Sequence, residues 1–151
     1  GPDIRRRWPE ECYRSLGRKL VRGGIPVAWV GTTTDPGGGV DGVMDWRGET
    51  NPAVLAALLR CASALVGNDS APAVLSGLIG IPTVMVAGPT GVAPGNVSGP
   101  SVRVVRQGTC PPCWVEEAPI DPCGYGGACL TDLRVSDVHR SVLAVRRERA
   151  A

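Results

Sequence analysis

The chain has 151 residues, of which 43% are apolar and 20% charged, so it is long enough for one domain with a substantial core. No apolar run approaches the roughly eighteen residues of a membrane-spanning helix, and we expect no secretory signal. The net charge of +2 is too small to favour nucleic acid as a partner. We expect a single domain over residues 3–151, with residues 1–2 a candidate scar of tag removal.

Helical and strand-like patterns alternate along the chain. The first helical pattern has Pro9 in its first turn and apolar residues at Cys12, Leu16 and Leu20, a spacing that predicts one buried face. Short continuous apolar runs predict strands that are buried on both faces. In chain order the predicted elements are helix 8–24, strand 25–31, loop 32–42, strand 43–46, helix 51–63, strand 64–68, helix 70–80, strand 81–88, strand 102–105 and helix 132–149. This alternation predicts an α/β fold, a Rossmann-like parallel sheet with helices on both faces.

The predicted order opens on a helix, whereas a helix in such a sheet normally follows a strand. We therefore expect a first strand of the sheet to lie upstream, and the chain to be one half of a larger protein.

In open α/β sheets, ligands bind beyond the carboxyl ends of the strands. The segments that follow three of the predicted strands are 31–35, 67–72 and 87–91. The second runs directly into a helix, which Ser70 or Asp69 can cap, and the free N–H groups of that helix favour phosphate. Because an acid repels phosphate, we expect Asp69 to accept hydrogen bonds from a sugar or from backbone. A simple helix cap is the alternative interpretation.

The other two segments are weaker signals. Thr32, Thr33 and Thr34 could hydrogen-bond a ribose or form an ordinary loop. Gly88-Pro89-Thr90 is a tight turn that presents backbone N–H groups and one hydroxyl.

Several short motifs occur in order along the chain. They are Trp8-Pro9, Arg47-Gly48, Asn68-Asp69-Ser70-Ala71-Pro72, Gly80-Ile81-Pro82-Thr83 and Gly88-Pro89-Thr90. With these motifs the sequence resembles, over nearly its whole length, the C-terminal domain of glycosyltransferase family 9, the ADP-heptose:lipopolysaccharide heptosyltransferases. The resemblance implies the C-terminal half of a GT-B fold, in which two Rossmann-like domains face each other across a cleft and the C-terminal one holds the nucleotide-sugar donor.

By this resemblance, the chain would bind a nucleotide-diphospho-sugar and serve the transfer of a heptose-type sugar to lipopolysaccharide core or to a protein acceptor. The general base belongs to the family's N-terminal acceptor domain, which is absent here, so we expect no catalytic residue and no activity in the isolated half. No catalytic cofactor is implied. We expect a cytoplasmic location, with peripheral association with the inner membrane left open. The residues implied at the donor are Asn68, Asp69, Ser70, Ala71, Gly88, Thr90, Thr32, Thr33 and Thr50.

Two positions depart from the family pattern. The glycine of the family's Asp-Ser-Gly turn is Ala71, which adds a methyl group where backbone approaches phosphate. A histidine that commonly follows is Val74 here. The alternative function is therefore a non-catalytic, metal-stabilised module of the same fold that binds a nucleotide or a partner.

Four cysteines crowd the segment 107–130, which we expect to be a loop: Cys110, Cys113, Cys123 and Cys129. A C-x2-C pair can chelate one ion, and four thiolates complete a tetrahedral site for zinc or iron. Disulfides are the alternative, and we favour a metal because a cytosolic protein keeps its thiols reduced. Many family members carry a similar segment, so the resemblance implies a structural iron or zinc site.

Four further conspicuous residues are expected to be structural. Cys12 and Cys61 lie within helical patterns and are predicted to be small buried residues. Trp29 and Trp46 are predicted to pack rather than to stack on a ligand.

Overall fold

The computed structural model describes residues 7–35, 37–88, 102–105, 114–115, 118–119 and 127–150. Its elements are α1 (Glu10–Arg22), β1 (Val27–Trp29), β2 (Val43–Asp45), α2 (Pro52–Cys61), β3 (Leu65–Asn68), α3 (Ala71–Leu78), β4 (Thr83–Val86), β5 (Val102–Val105), β6 (Trp114–Val115), β7 (Ala118–Pro119), α4 (Ala128–Thr131) and α5 (Val135–Ala150). Each predicted helix and strand is present, most of them with shorter bounds; β5 has the predicted bounds, and α5 starts three residues later and ends one residue later than predicted. The segment expected to be a loop also contains β6, β7 and the start of α4.

The parallel pairing is confirmed, but the strands do not form one continuous sheet. β1 pairs with β2, with Val27 opposite Val43. β3, β4 and β5 form a second parallel sheet, in which Leu65 lies opposite Thr83. β6 and β7 form a short antiparallel hairpin. Within the described part of the chain, β1 and β3 are not paired with each other.

Helices cover both faces of the β3–β4–β5 sheet, as predicted. Val84 and Val86 of β4 pack into a buried cluster with α1 and α5. Thr83 points to the opposite face, where its hydroxyl donates a hydrogen bond to the Ser76 hydroxyl of α3 at 2.8 Å. We call the first group the α1–α5 cluster; its further buried members are Trp8, Leu16, Leu20, Cys129, Leu130, Leu133, Val138, Val142 and Val145.

The prediction that the strands are buried on both faces is confirmed for β4 and is wrong for β1 and β3. β4 is buried along its whole length because it has a strand on each side and helices above and below. In β1 the central residue, Ala28, is exposed, and every residue of β3 is only half-buried. Among the described residues, each of these two strands has a paired neighbour on one side only.

The helix ends follow the chemistry of their residues. The N-cap of α2 is Asn51, whose side-chain oxygen accepts a hydrogen bond from the Val54 N–H at 2.9 Å, as expected for a cap. α1 begins with Glu10 and Glu11 and ends with basic residues, the arrangement that the helix dipole favours. In the described residues, no helix is both long enough and apolar enough to cross a membrane.

Two predictions about packing residues are wrong. Cys61, the last residue of α2, is exposed, because α2 lies at the periphery and turns this position to solvent. Trp46 is 40% exposed directly after β2, which is an edge strand. Cys12 is half-buried against the α1–α5 cluster, and Trp29 is half-buried beside Tyr13, as packing roles require.

Candidate site at the carboxyl ends of the strands

The segment after β1 folds back around a carboxylate. One oxygen of Asp35 accepts hydrogen bonds from the backbone N–H of Thr32 at 2.8 Å and from the Thr32 hydroxyl at 2.9 Å. The other oxygen forms an ion pair with Arg7 at 3.1 Å. The hydrogen bonds from Thr32, assisted by the charge of Arg7, hold the pKa of Asp35 below its usual value. The Thr32 hydroxyl is therefore committed to the loop, while the neighbouring Thr33 is exposed.

Arg47 ties the end of β2 to the same loop. Its Nε and Nη2 atoms donate to the two oxygens of Asp45 at 2.9 and 2.7 Å, a bidentate contact. Its Nη1 atom donates to the carbonyl oxygen of Asp35 at 2.7 Å. The hydrogen bonds from Arg47 lower the pKa of Asp45 to about 2. The arginine of the Arg-Gly motif thus fixes two loops relative to each other.

The glycine of that motif allows the close approach. Gly48 has a φ of +78°, and a Cβ atom there would lie 2.4 Å from Cγ2 of Thr33. The Gly48 N–H donates to the carbonyl oxygen of Gly31 at 2.8 Å. Two of the predicted donor-binding segments, Thr32–Thr33 and the segment leading to Thr50, therefore lie side by side.

Asn68, the last residue of β3, is held by three protein contacts. Its Oδ1 atom accepts hydrogen bonds from the Tyr13 hydroxyl at 2.8 Å and from the Trp8 N–H at 3.3 Å, and its Nδ2 atom donates to the Val86 carbonyl at 3.3 Å. Burial raises the pKa of Tyr13, so the phenol remains a donor. Both ends of the amide are thus engaged by protein groups that fix its orientation, and the contact of Asn68 with a donor stays a prediction.

The start of the described chain joins these two regions. Arg7 contacts Asp35 in the β1 loop, and the next residue, Trp8, donates to Asn68 at the end of β3. Trp8 is 1% exposed, and its indole N–H donates to the Leu133 carbonyl at 3.1 Å. The loop that follows β1 (residues 30–35) and the carboxyl end of β3 at Asn68 therefore lie at one edge of the molecule, which we call the rim.

α3 starts at this rim without a side-chain cap. Ser70 is the N-cap residue of α3, as predicted, but its hydroxyl donates to the Asn68 carbonyl at 3.0 Å and makes no capping hydrogen bond. The Ser70 carbonyl accepts the Ala73 N–H at 3.0 Å, and Pro72 has no N–H to offer. Among the described residues the Ala71 N–H donates to no backbone carbonyl. Such an amide at a helix start is suited to a phosphate oxygen.

The third strand end adjoins the second. Asn68 lies opposite Val86 in the register of β3 and β4, and the half-buried Gly88 follows two residues later. Asp69, the residue after Asn68, is half-buried. Thr90 lies outside the described residues.

The predicted cysteine site falls mostly outside the described residues, since these include neither Cys110, Cys113 nor Cys123. Cys129 is 7% exposed on α4, within the α1–α5 cluster, and its sulfur lies 3.8 Å from the Gly127 carbonyl oxygen. In the part of the chain that the structure describes, no group of three or more potential metal ligands is found.

Sequence reasoning did not assign site roles to Asp35, Tyr13 and Trp8. The sequence carries one usable signal for Asp35, since Thr32-x-x-Asp35 has the spacing of a capping box, in which the acid accepts the backbone N–H of the residue three positions before it. Tyr13 and Trp8 act through partners 55 and 60 residues away, for which no local pattern exists.

Two solved structures share this fold over nearly the whole chain. The structure of E. coli ADP-heptose LPS heptosyltransferase II matches 97% of the chain with a TM-score of 0.75 and 21% sequence identity. The crystal structure of the glycosyl transferase family 9 from Veillonella parvula DSM 2008 matches 98% with a TM-score of 0.75 and 18% identity. The match covers 44% of each of those proteins, so the chain spans less than half their length.

By sequence alone, no protein-family model and no curated protein matches the chain. The structural likeness establishes that the chain has the fold of one half of these glycosyltransferases.

Proposed function

We propose that the chain is the donor-binding domain of a glycosyltransferase of family 9 and that it binds a nucleotide-diphospho-sugar of the ADP-heptose kind. The proposal is carried by the match of at least 97% of the chain to two glycosyltransferases. It is supported by the position of the predicted donor-binding loops, which meet at the carboxyl ends of parallel strands, where open α/β sheets bind ligands.

In this proposal the start of α3 receives the diphosphate. The Ala71 N–H is the available donor, and the helix dipole adds a favourable field for an anion. Ser70 holds the turn in place through its hydrogen bond to the Asn68 carbonyl. Asp69 accepts hydrogen bonds from the sugar. The carboxylates of Asp35 and Asp45 are engaged by arginines, which reduces their repulsion of an incoming phosphate.

The nucleoside would lie along the loops that follow β1 and β2. Thr33 and Thr50 lie there, with the Thr32 hydroxyl tied to Asp35. Trp46 directly after β2 is 40% exposed, and a partly exposed aromatic ring is suited to contact with a base. Gly88 and Thr90 would complete the site after β4.

For transfer, the acceptor hydroxyl attacks the anomeric carbon while the bond to the diphosphate breaks. Donors at the start of α3 would stabilise the negative charge on the leaving diphosphate. The proton of the acceptor hydroxyl passes to a base that the family places in the N-terminal domain. We therefore expect the 151-residue chain alone to transfer no sugar to lipopolysaccharide core or to a protein acceptor.

Calorimetric titration with ADP-heptose and with ADP tests the proposal. Ala71→Glu places a negative charge and a bulky side chain at the start of α3, and we expect it to weaken ADP binding at least tenfold. Leu78→Glu is the matched control, because it adds the same charge at the other end of the same helix, where Leu78 is 75% exposed. Equal affinities of the two variants would contradict a diphosphate site at α3.

A non-catalytic module is the second candidate, favoured by two residues of α3. Ala71 adds a methyl group beside the amide that would meet phosphate, and the half-buried Val74 offers no hydrogen bond. A chain that binds neither ADP nor ADP-heptose, yet folds as described, would favour this alternative.

We also propose that Cys110, Cys113, Cys123 and Cys129 hold a structural iron or zinc ion. The buried setting of Cys129 suits this role, because a thiolate in apolar surroundings needs a cation to offset its desolvation. We expect about one metal ion per chain from tetrahedral ligation by four cysteines. Elemental analysis should show its loss in Cys129→Ser and its retention in Cys61→Ser, an exposed control. Equal metal content in both variants would contradict the site.

A further inference from the structure

The Arg-Gly motif after β2 is bonded to both ends of the segment 31–35, which follows β1. The Arg47 Nη1 atom donates to the Asp35 carbonyl oxygen at 2.7 Å. The Gly48 N–H donates to the Gly31 carbonyl oxygen at 2.8 Å. The position of this segment relative to β2 therefore depends on the motif.

The guanidinium of Arg47 uses all three of its nitrogen atoms in contacts with the protein. The Nε and Nη2 atoms donate to the two carboxylate oxygens of Asp45 at 2.9 and 2.7 Å, and Nη1 donates to the Asp35 carbonyl. Because a bidentate contact with a carboxylate fixes the plane of a guanidinium, it also fixes the direction of the third nitrogen. Arg47 is therefore a bridge between two loops rather than a free cation for a phosphate.

Glycine backbone from the connection between β1 and β2 packs against this bridge. Gly38 is buried, and an ideal Cβ atom there would lie 2.5 Å from Arg47 Nη2 and 3.0 Å from Asp45 Oδ2. At Gly37 the same atom would lie 3.8 Å from Arg47 Cδ and 3.7 Å from the Trp29 ring. The Arg47 side chain is only 20% exposed. The close approach of glycine backbone therefore restricts the movement of the guanidinium.

The charges at this part of the rim are balanced in pairs. Arg47 lies 2.7 Å from Asp45, and Arg7 lies 3.1 Å from Asp35. Each carboxylate thus has a cationic partner, and the paired charges largely cancel at a distance. Such a region is better suited to the uncharged nucleoside of a donor than to its diphosphate.

We propose that Arg47 is a positioning residue for the nucleoside part of the donor site. It holds the segment 31–35 against the end of β2 and does not touch the donor itself. This inference rests on the proposed function and deepens it. The apparent affinity for a ligand falls with the fraction of molecules whose loops have the binding-competent arrangement. Loss of the bridge therefore weakens nucleotide binding although no ligand contact is removed.

Calorimetric titration of Arg47→Lys with ADP and with inorganic diphosphate tests this role. Lysine keeps the positive charge but loses the planar fork that joins Asp45 to the Asp35 carbonyl. We expect ADP to bind at least about fivefold more weakly than to the wild-type chain, and diphosphate, which has no nucleoside, to bind equally well. The matched control is Arg140→Lys, since Arg140 is also paired with an aspartate but is 78% exposed on α5. It should bind both probes as the wild type does.

Wild-type affinity for ADP in Arg47→Lys would overturn the proposal. Equal losses for ADP and for diphosphate would also overturn it, because Arg47 would then act on the phosphate site.

Amide hydrogen exchange examines the bridge without any ligand. The Gly48 N–H is hydrogen-bonded to the Gly31 carbonyl, and we expect it to exchange at least about fivefold faster in Arg47→Lys than in the wild type. Unchanged exchange at Gly48 would overturn the proposal whatever the affinity for ADP. Faster exchange in a protein whose wild type binds no ADP would contradict the proposed function and reduce Arg47 to a structural bridge.

Discussion

The Asn68→Ala substitution tests whether the rim depends on one amide side chain. It leaves the Tyr13 hydroxyl and the Trp8 N–H without an acceptor and removes a donor from the Val86 carbonyl. An unpaired polar group costs about 1–3 kcal/mol when buried, and these contacts are part-buried, so we expect a loss of about 2–3 kcal/mol in the free energy of unfolding. For a chain of this size that loss lowers the urea midpoint by roughly 1–2 M.

The Tyr13→Phe substitution separates this contact from general damage. Alone it removes the hydroxyl and should cost about 1 kcal/mol. In the Asn68→Ala background it removes a hydroxyl that has already lost its acceptor, so its cost should fall to nearly zero, a coupling of about 1 kcal/mol. Strictly additive costs would refute the reasoning. So would an Asn68→Ala protein that unfolds at the wild-type midpoint and loses only ADP affinity, since Asn68 would then be a ligand contact.

Two further substitutions examine the loops after β1 and β2. Gly48→Ala should lower the free energy of unfolding by about 1–3 kcal/mol, because the positive φ of Gly48 and its contact with Thr33 exclude a Cβ atom. Gly67→Ala is the control and should stay near wild type, because a Cβ atom at Gly67 meets no atom within 4 Å. Equal urea midpoints of the two variants would contradict this. Asp45 has its pKa lowered to about 2 by Arg47, so its contribution is present above the unfolded-state pKa near 4 and is lost as the pH falls towards 2. The difference in thermal midpoint between wild type and Asp45→Asn should therefore close between pH 4 and pH 2, and a constant difference would count against the ion pair.

The local elements of this protein follow from the sequence because their causes are local. Pro9 and the acids after it predict the start of α1, and Asn51 before Pro52 predicts the start of α2. The continuous apolar run through β4 predicts a strand without an exposed face. The alternation of such segments predicts parallel strands between helices, and the motif order predicts the half-glycosyltransferase fold that the structural matches share.

The rim itself could be predicted only in outline. The sequence identifies which segments follow the strands, and parallel strands bring those segments to one edge. It does not show that the Ser70 hydroxyl donates to the Asn68 carbonyl, or that Arg47 donates hydrogen bonds to both Asp45 and the Asp35 carbonyl. Each of these side chains has several possible hydrogen-bond partners, and tertiary packing determines which of them it contacts.

Periodicity and turn chemistry in the sequence determined the order of helices and strands and the parallel class of the fold. Only the tertiary structure decided that Asn68 is engaged by Tyr13 and Trp8, residues 55 and 60 positions away, and that, among the described strands, β1 pairs with β2 and β3 with β4 but not with each other. The physical reason is that a propensity acts within a few residues. A side-chain amide and a strand edge are satisfied by whichever distant segment the folded chain places beside them.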